Sequence, residues 1–423
     1  MHIILDFFQY IINLGVSVMM PIIITVLGLI FGNKLSSSFK SGLTVGLGFV
    51  GLNAITALMI DAISPVTRAL VKQYNFQLTA TDMGWGVGAS LAWGTEVVPF
   101  VFLTIIATNV IMILFNWTKT MDVDIWNFWE PMAIASALYL TTRNLFIALL
   151  SAVINMAIIF KIADWTQKDV DEVLGLEGIS FPHLQSTGWA LIGYPLNWIL
   201  DRIPGIKNIS WTPEKVQNKL GIFGEPMFMG LFIGGGLAAV ARMPVATVLQ
   251  TAVKIAASLV LIPKMVALLM DGLTLISESA QEWMQKRFPG RQLYIGLDSA
   301  LGIGHPYVLT TGLLMIPFAL VLAFILPGNK VLPLADLTAL PYFMIFAILP
   351  SKGNLFRGLI SGILFTIIIL YCASYAAPIV TQLAVQVGYH LPKGSTQVTS
   401  LAVGAQWYTW IIYWILGKFA ALF

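Results

Sequence analysis

Apolar residues dominate this chain in runs as long as the hydrocarbon of a bilayer is thick. Ile11–Phe31, Gly42–Ile60, Val97–Phe115, Asn144–Phe160, Gly224–Ala241, Ala246–Met270, Val308–Leu326 and Leu359–Tyr375 are each long, or nearly long enough, to cross as a helix. A crossing takes about 20 mostly apolar residues, so the chain has room for roughly ten with their connections. The pattern predicts an all-α, polytopic membrane protein. Three stretches break it: Thr81–Thr95, Tyr294–Tyr307 and Gly178–Trp198 are Gly- or Pro-containing and carry polar groups. Such segments leave backbone groups unsatisfied in lipid, so they must be buried in protein or line a wet cavity. They are the best pointer to a solute site.

The pattern also repeats. Ala57–Asp61 (ALMID) returns as Ala267–Asp271 (ALLMD), Thr81–Gly84 is echoed by Leu297–Ala300, and Asn116 through Asp124 to Trp129 by Asn329 through Asp336 to Phe343. The spacing is about half the chain, which predicts two homologous halves. With an odd number of crossings in each, the halves face opposite ways. We expect a first repeat with a central cytoplasmic or re-entrant stretch over 1–220, a second over 221–395 and an extra C-terminal helix in 396–423.

Composition agrees. Of 423 residues, 58% are hydrophobic and 10% charged, and the mean hydropathy is +0.85, too much apolar surface for one water-soluble core. A net charge of +3, scattered along the chain, argues against a nucleic-acid partner. Lys34, Lys40 and the central group Lys161, Lys168, Arg202, Lys207, Lys215 and Lys219 place those loops in the cytoplasm and the N-terminus outside. No cleavable signal precedes the first run, so it is expected to be a retained helix. Cys372 is the only cysteine; it reads as a packed thiol, with no disulfide within the chain. There is no nucleotide-binding or metal motif, and no cofactor or metal is expected. Gly46-x-Gly48-x-x-Gly51 follows no strand and reads as a helix-packing surface.

Acids beside apolar segments are candidates for function because they are expensive in a membrane. Asp82, Glu96, Glu130, Glu225 and Asp298 qualify. Asp82 and Asp298 precede Gly-rich breaks, where binding a ligand and capping a helix are both open readings; Glu225 before Pro226 reads as a helix start. His183 and His305 lie in the broken segments, where an imidazole serves either a polyol or the fold. His2 and His390 read as loop residues. Trp85, Trp93 and Trp129 suit stacking on a sugar-like face or anchoring at the interface, and Asn53 and Gln185 suit hydroxyls or interhelical bonds.

With these residues named, the chain resembles the membrane subunit IIC of the galactitol-type enzyme II of the bacterial phosphotransferase system, and more distantly the ascorbate type. The motifs that carry the resemblance are Gly46–Gly51, Val123–Asn127, Leu176–Ile179 with Pro182-His183, Phe223–Pro226, Leu268–Leu273, Ile295–Asp298, Gly304-His305, Pro327–Asn329 and Gly353–Arg357. The resemblance implies a homodimer of two inverted five-helix repeats plus a final helix, working as an elevator in the bacterial inner membrane. It implies a hexitol or similar polyol as solute, phosphorylated by a phosphocysteine on a separate IIB subunit charged through IIA. The chain is then not catalytic alone, and it shows no IIA or IIB domain of its own. By analogy with the ascorbate carrier, Trp85, Glu130, His183, Gln185 and Asp298 face the solute; the chain departs at Glu130, where relatives carry a histidine, and at Leu184–Ser186. His305, Asn53 and Asp82 complete the candidate set. The alternative is a proton- or cation-coupled transporter using the same acids.

Overall fold

A computed structural model describes residues 16–74, 79–212, 215, 225–287, 289–333, 335–391 and 395–421; the expected boundary at 220/221 and His2 lie outside them. The first series of elements is α1 (Val16–Ile30), α2 (Leu35–Tyr74), β1 (Ala80–Asp82), α3 (Trp85–Trp93), α4 (Val98–Leu114), β2 (Thr120–Asp122), α5 (Trp129–Thr142), α6 (Leu145–Leu174), β3 (Ile179–Ser180), α7 (Leu184–Thr187) and α8 (Ala190–Leu200). A second series follows: α9 (Pro226–Val240), α10 (Val245–Arg287), β4 (Tyr294–Gly296), α11 (Ala300–Ile303), α12 (Pro306–Ile325), β5 (Val331–Leu332), α13 (Leu340–Ile348), α14 (Leu355–Gln386), β6 (Gln397–Thr399), α15 (Leu401–Ala405) and α16 (Trp407–Ala420). The two series run in the same order. The stretch 401–420 is two helices, not one, and stands where α7 and α8 stand in the first series.

Among the described residues, four helices are long and apolar enough to cross a membrane: α6, the Val245–Ile262 part of α10, α12 and α14. Their outward residues, and those of α4 such as Leu103 and Leu114, are exposed and apolar, as lipid contact requires. Two of the long helices begin on an asparagine that satisfies an open amide. Asn144 caps α6 by accepting from the Ile147 N–H (3.2 Å), and Asn354 caps α14 by accepting from the Phe356 N–H (3.1 Å).

The strands solve a solvation problem. Each broken segment exposes backbone N–H and C=O groups that lipid cannot satisfy, and each pairs with strands of the other series. β1 lies between β5 and β6, and β4 between β2 and β3, all parallel. The two series are therefore interlocked, and every sheet draws on both.

Two packed groups result. α1, α2, α9 and α10 pack on one another; the remaining helices and both sheets form the second group, and the main core cluster draws on both. Small residues set the close approaches. A Cβ on Gly51 would collide with Met265, which fits the helix-packing reading of that glycine, and one on Gly404 would collide with the Ile369 carbonyl and Ala373. Beyond the membrane spans, Lys352 pairs with Asp169 and Glu172 at the end of α6. Partial burial disfavours its charge, but hydrogen bonds to the two carboxylates prevail and raise its pKa. Cys372 is a half-buried thiol packed against the second core cluster.

Candidate functional site

The sheet β2-β4-β3 delivers three chain turns to one buried place. After β2 the chain passes Asp122, Asp124 and Asn127 into α5, whose first turn carries Glu130. After β3 it passes Pro182 and His183 into α7, and after β4 Asp298 and Ser299 into α11. His183, Glu130 and Ser299 are fully buried; Gln185, Asp298 and Asp124 nearly so.

His183 is the hub. Its Nε2 lies 2.8 Å from Glu130 Oε1 and 3.6 Å from Asp298 Oδ1, and 3.3 Å from Gln185 Nε2. Its Nδ1 faces Ser299 Oγ at 2.7 Å and Ser186 Oγ at 3.1 Å. The Tyr342 ring lies beside the imidazole, centroids 5.9 Å apart. Backbone amides hold the acids: the Leu184 N–H donates to Glu130 Oε2 (2.9 Å), the Ala300 N–H to Asp298 Oδ1 (2.8 Å), and the Asp298 and Trp126 N–H groups to Asp124 (3.1 and 3.0 Å). Gln185 Oε1 and the Trp129 indole N–H, both buried, have no hydrogen-bond partner in the protein.

Three carboxylates and a free amide oxygen around one imidazole make a site rich in hydrogen-bond acceptors. Its natural complement is a ligand with several hydroxyl donors and no negative charge. Among the described residues, no three His, Cys, Asp or Glu side chains are arranged to hold a metal.

Of the candidate residues, Glu130, His183, Gln185 and Asp298 converge here. Trp85 sits at the edge, its ring edge-on to Trp126 (5.9 Å). Asp82 lies apart, in the other sheet. There Asp82 accepts from the Gly84 and Asp336 N–H groups (3.1 and 2.9 Å), and Asp336 from those of Trp85 and Ala402 (2.6 and 3.0 Å). Four backbone donors use up these two carboxylates, and Ser400 replaces the histidine as cap of the short helix, accepting from the Val403 N–H (3.1 Å). His305 is half-buried at the start of α12, its ring 5.1 Å from Tyr307. Asn53 falls on α2, and its side chain lies outside the described residues. Glu225 occupies the N-cap of α9 with Pro226 first in the helix, as the helix-start reading expects, and Glu96 is exposed. Trp129 is wholly buried and so anchors no interface.

Sequence reasoning did not single out Asp122, Asn127, Ser186, Ser299 or Tyr342 as site residues. A signal existed for the first two: they flank Asp124, the acid that the internal repeat matches to Asp336.

Residues 10–394 match the sequence profile of a family described as the PTS system sugar-specific permease component. The chain is 39% identical to a putative permease IIC component of Escherichia coli K12 over 403 residues, 94% of this chain and 91% of that protein. It is 36% identical to the PTS system galactitol-specific EIIC component of the same strain, over 404 residues covering 96% of this chain and 89% of the relative, and to its namesake in strain O157:H7 with the same coverage.

Proposed function

The chain belongs to the galactitol-type sugar-specific permease components of the phosphotransferase system, multi-pass membrane proteins, and from that premise we propose that its solute is a neutral hexitol of the galactitol kind. The observation that carries the choice is the acceptor set around His183. Asp298 offers a carboxylate oxygen without a backbone donor, Glu130 one that faces only the imidazole, and Gln185 an unoccupied amide oxygen, to a ligand whose hydroxyls donate. The same acids would repel a sugar acid. A buried hydroxyl left unpaired costs about 1–3 kcal/mol, so such a cage discriminates between stereoisomers. The related galactitol-specific component at 36% identity supports the same substrate class.

Family membership also supports the reaction context: delivery of the polyol to a IIB phosphocysteine, charged through IIA, in the bacterial inner membrane, with the carrier a homodimer. It favours this over a proton- or cation-coupled carrier. The chemistry rests with IIB, and this chain positions the hydroxyl. We read the two matching element series as inverted repeats, and α1, α2, α9 and α10 as the fixed, dimerising part. The group bearing the His183 site then slides against it as the elevator.

The test is thermal stabilisation of the purified, detergent-solubilised protein by galactitol, other hexitols, pentitols and ascorbate. Stabilisation by one hexitol over its epimers, with none by ascorbate, is the expected result. Equal response to ascorbate would contradict the charge argument.

A further inference from the structure

Ile106, Val110 and Leu114 of α4 are exposed and recur every fourth residue, so they share one helix face. The same three line a cleft of about 370 Å³ at the seam between the two packed groups, within the range of small-molecule sites. Its opposite wall is Leu27, Phe31 and Trp283 of α1 and α10, the two rings in contact at 5.9 Å. Because the α4 wall is exposed, the cleft opens to the hydrocarbon around the helices. Two polar residues line it, and both are committed to the protein. Asn109 donates to the Thr120 carbonyl (2.9 Å) and accepts from the Asp122 N–H (3.1 Å). Asp122 Oδ1 accepts from Asn127 Nδ2 (2.9 Å), and its Oδ2 is buried. The rest of the lining is aliphatic and aromatic. It would leave the hydroxyls of a polyol unpaired and suits a hydrocarbon chain.

One end of the cleft is basic. The carbonyl of Ile113, a lining residue, accepts from Arg291 Nη1 (2.9 Å). Arg291 lies three residues before β4 and Lys119 one residue before β2, its parallel neighbour, and both side chains are exposed. Lys34 follows Phe31 at the end of α1, and Lys161 donates to the Trp117 carbonyl (2.8 Å) just beyond α4. Against these cations stand Asp164, whose oxygens accept from the Thr118 and Thr120 hydroxyls and the Lys119 N–H, and Glu282, which pairs with Lys286 (3.6 Å). From this charge complementarity we propose that an anionic phospholipid occupies the seam, one acyl chain between Val110 and the Phe31–Trp283 pair and its phosphate on Arg291 and Lys119. Basic pockets between membrane helices hold anionic headgroups in this way. The lipid touches both packed groups and stabilises the joint between them. The proposal stands apart from the choice of solute.

The test is native mass spectrometry and thermal unfolding of the delipidated full-length protein in a non-ionic detergent, with phosphatidylglycerol or phosphatidylcholine added. One phosphatidylglycerol per protomer should bind at least tenfold more tightly than phosphatidylcholine and raise the melting temperature. Arg291→Gln combined with Lys119→Gln should abolish that preference. Val110→Trp, which fills the cleft without touching either cation, should weaken phosphatidylglycerol at least tenfold. Leu103→Trp, exposed on the same helix but absent from the lining, should leave it within twofold. A readout that needs no cleft variant is quenching by phosphatidylglycerol brominated in its chains, which should be greater in the wild type than in Trp283→Phe. Millimolar glycerol 3-phosphate, the headgroup without chains, should displace nothing. Equal binding of the two lipids, or equal loss in Val110→Trp and Leu103→Trp, overturns the site. Binding that depends on the cations but not on Val110, with Trp283 unquenched or with displacement by glycerol 3-phosphate, marks a phosphate site alone and also overturns it.

Discussion

Ser299 Oγ lies 2.7 Å from His183 Nδ1, joining the turn after β4 to the turn after β3 across 116 residues of sequence. The opposite ring nitrogen faces Glu130 Oε1 at 2.8 Å. The imidazole is thus held on both edges, by groups from both series, before any solute arrives. Preorganisation of this kind reduces the ordering that binding must bring about.

Removing the hub should be felt twice. His183→Ala leaves Glu130 buried without its partner, and breaking a buried charge pair costs about 3–5 kcal/mol. Denaturation should show a lowered melting temperature, and titration of folded protein a loss of hexitol affinity of at least a hundredfold. Ser299→Ala should lower affinity by about tenfold, since about 1.4 kcal/mol lies within the roughly 0.5–1.5 kcal/mol that a typical intramolecular hydrogen bond contributes.

Charge at residue 130 should set what kind of solute is accepted. Glu130→His replaces an acceptor with the residue type that the resemblance places at this position in relatives. We expect weaker hexitol binding and measurable stabilisation by ascorbate, read in the same thermal-shift panel. An unchanged ligand ranking would remove Glu130 from the solute's surroundings.

Asp82 should prove a structural residue. Its carboxylate is spent on the Gly84 and Asp336 amides, in the sheet that lacks a histidine. Asp82→Ala should destabilise the protein by about 1.5–3 kcal/mol, the value of a hydrogen bond to a charged group, while the hexitol dissociation constant of the folded protein stays within twofold.

Packing at the end of the second series permits a steric test. A methyl group on Gly404 meets the Ile369 carbonyl and Ala373, so Gly404→Ala should destabilise by about 1–3 kcal/mol through overpacking. Chemical denaturation in detergent measures it.

Much of the fold was legible because lipid makes hydropathy a strong signal. The runs at Val97–Phe115 and Asn144–Phe160 became α4 and the apolar part of α6, and the three broken stretches became strand-and-short-helix turns. The break at 397–406 was missed, since Gln397–Thr399 reads as an ordinary polar loop; only pairing with β1 makes it a strand. Within the site, Glu130, His183, Gln185 and Asp298 were identified and do converge. Asp82 and Asp298 look alike in sequence, each two residues before a backbone N–H that it accepts. What separates them is the sheet each belongs to, and therefore the neighbours that the other series brings. Strand pairing across more than 100 residues leaves no local trace, which is why Ser299 and Tyr342 could not be placed beside His183.

The measurement that tests the account most directly is uptake of radiolabelled galactitol into proteoliposomes containing the purified carrier, with phosphorylated IIB enclosed or omitted. The account predicts that with IIB the label inside is galactitol phosphate, and that an imposed proton or sodium gradient without IIB concentrates nothing. Accumulation of unmodified galactitol under such a gradient, independent of IIB, would contradict it.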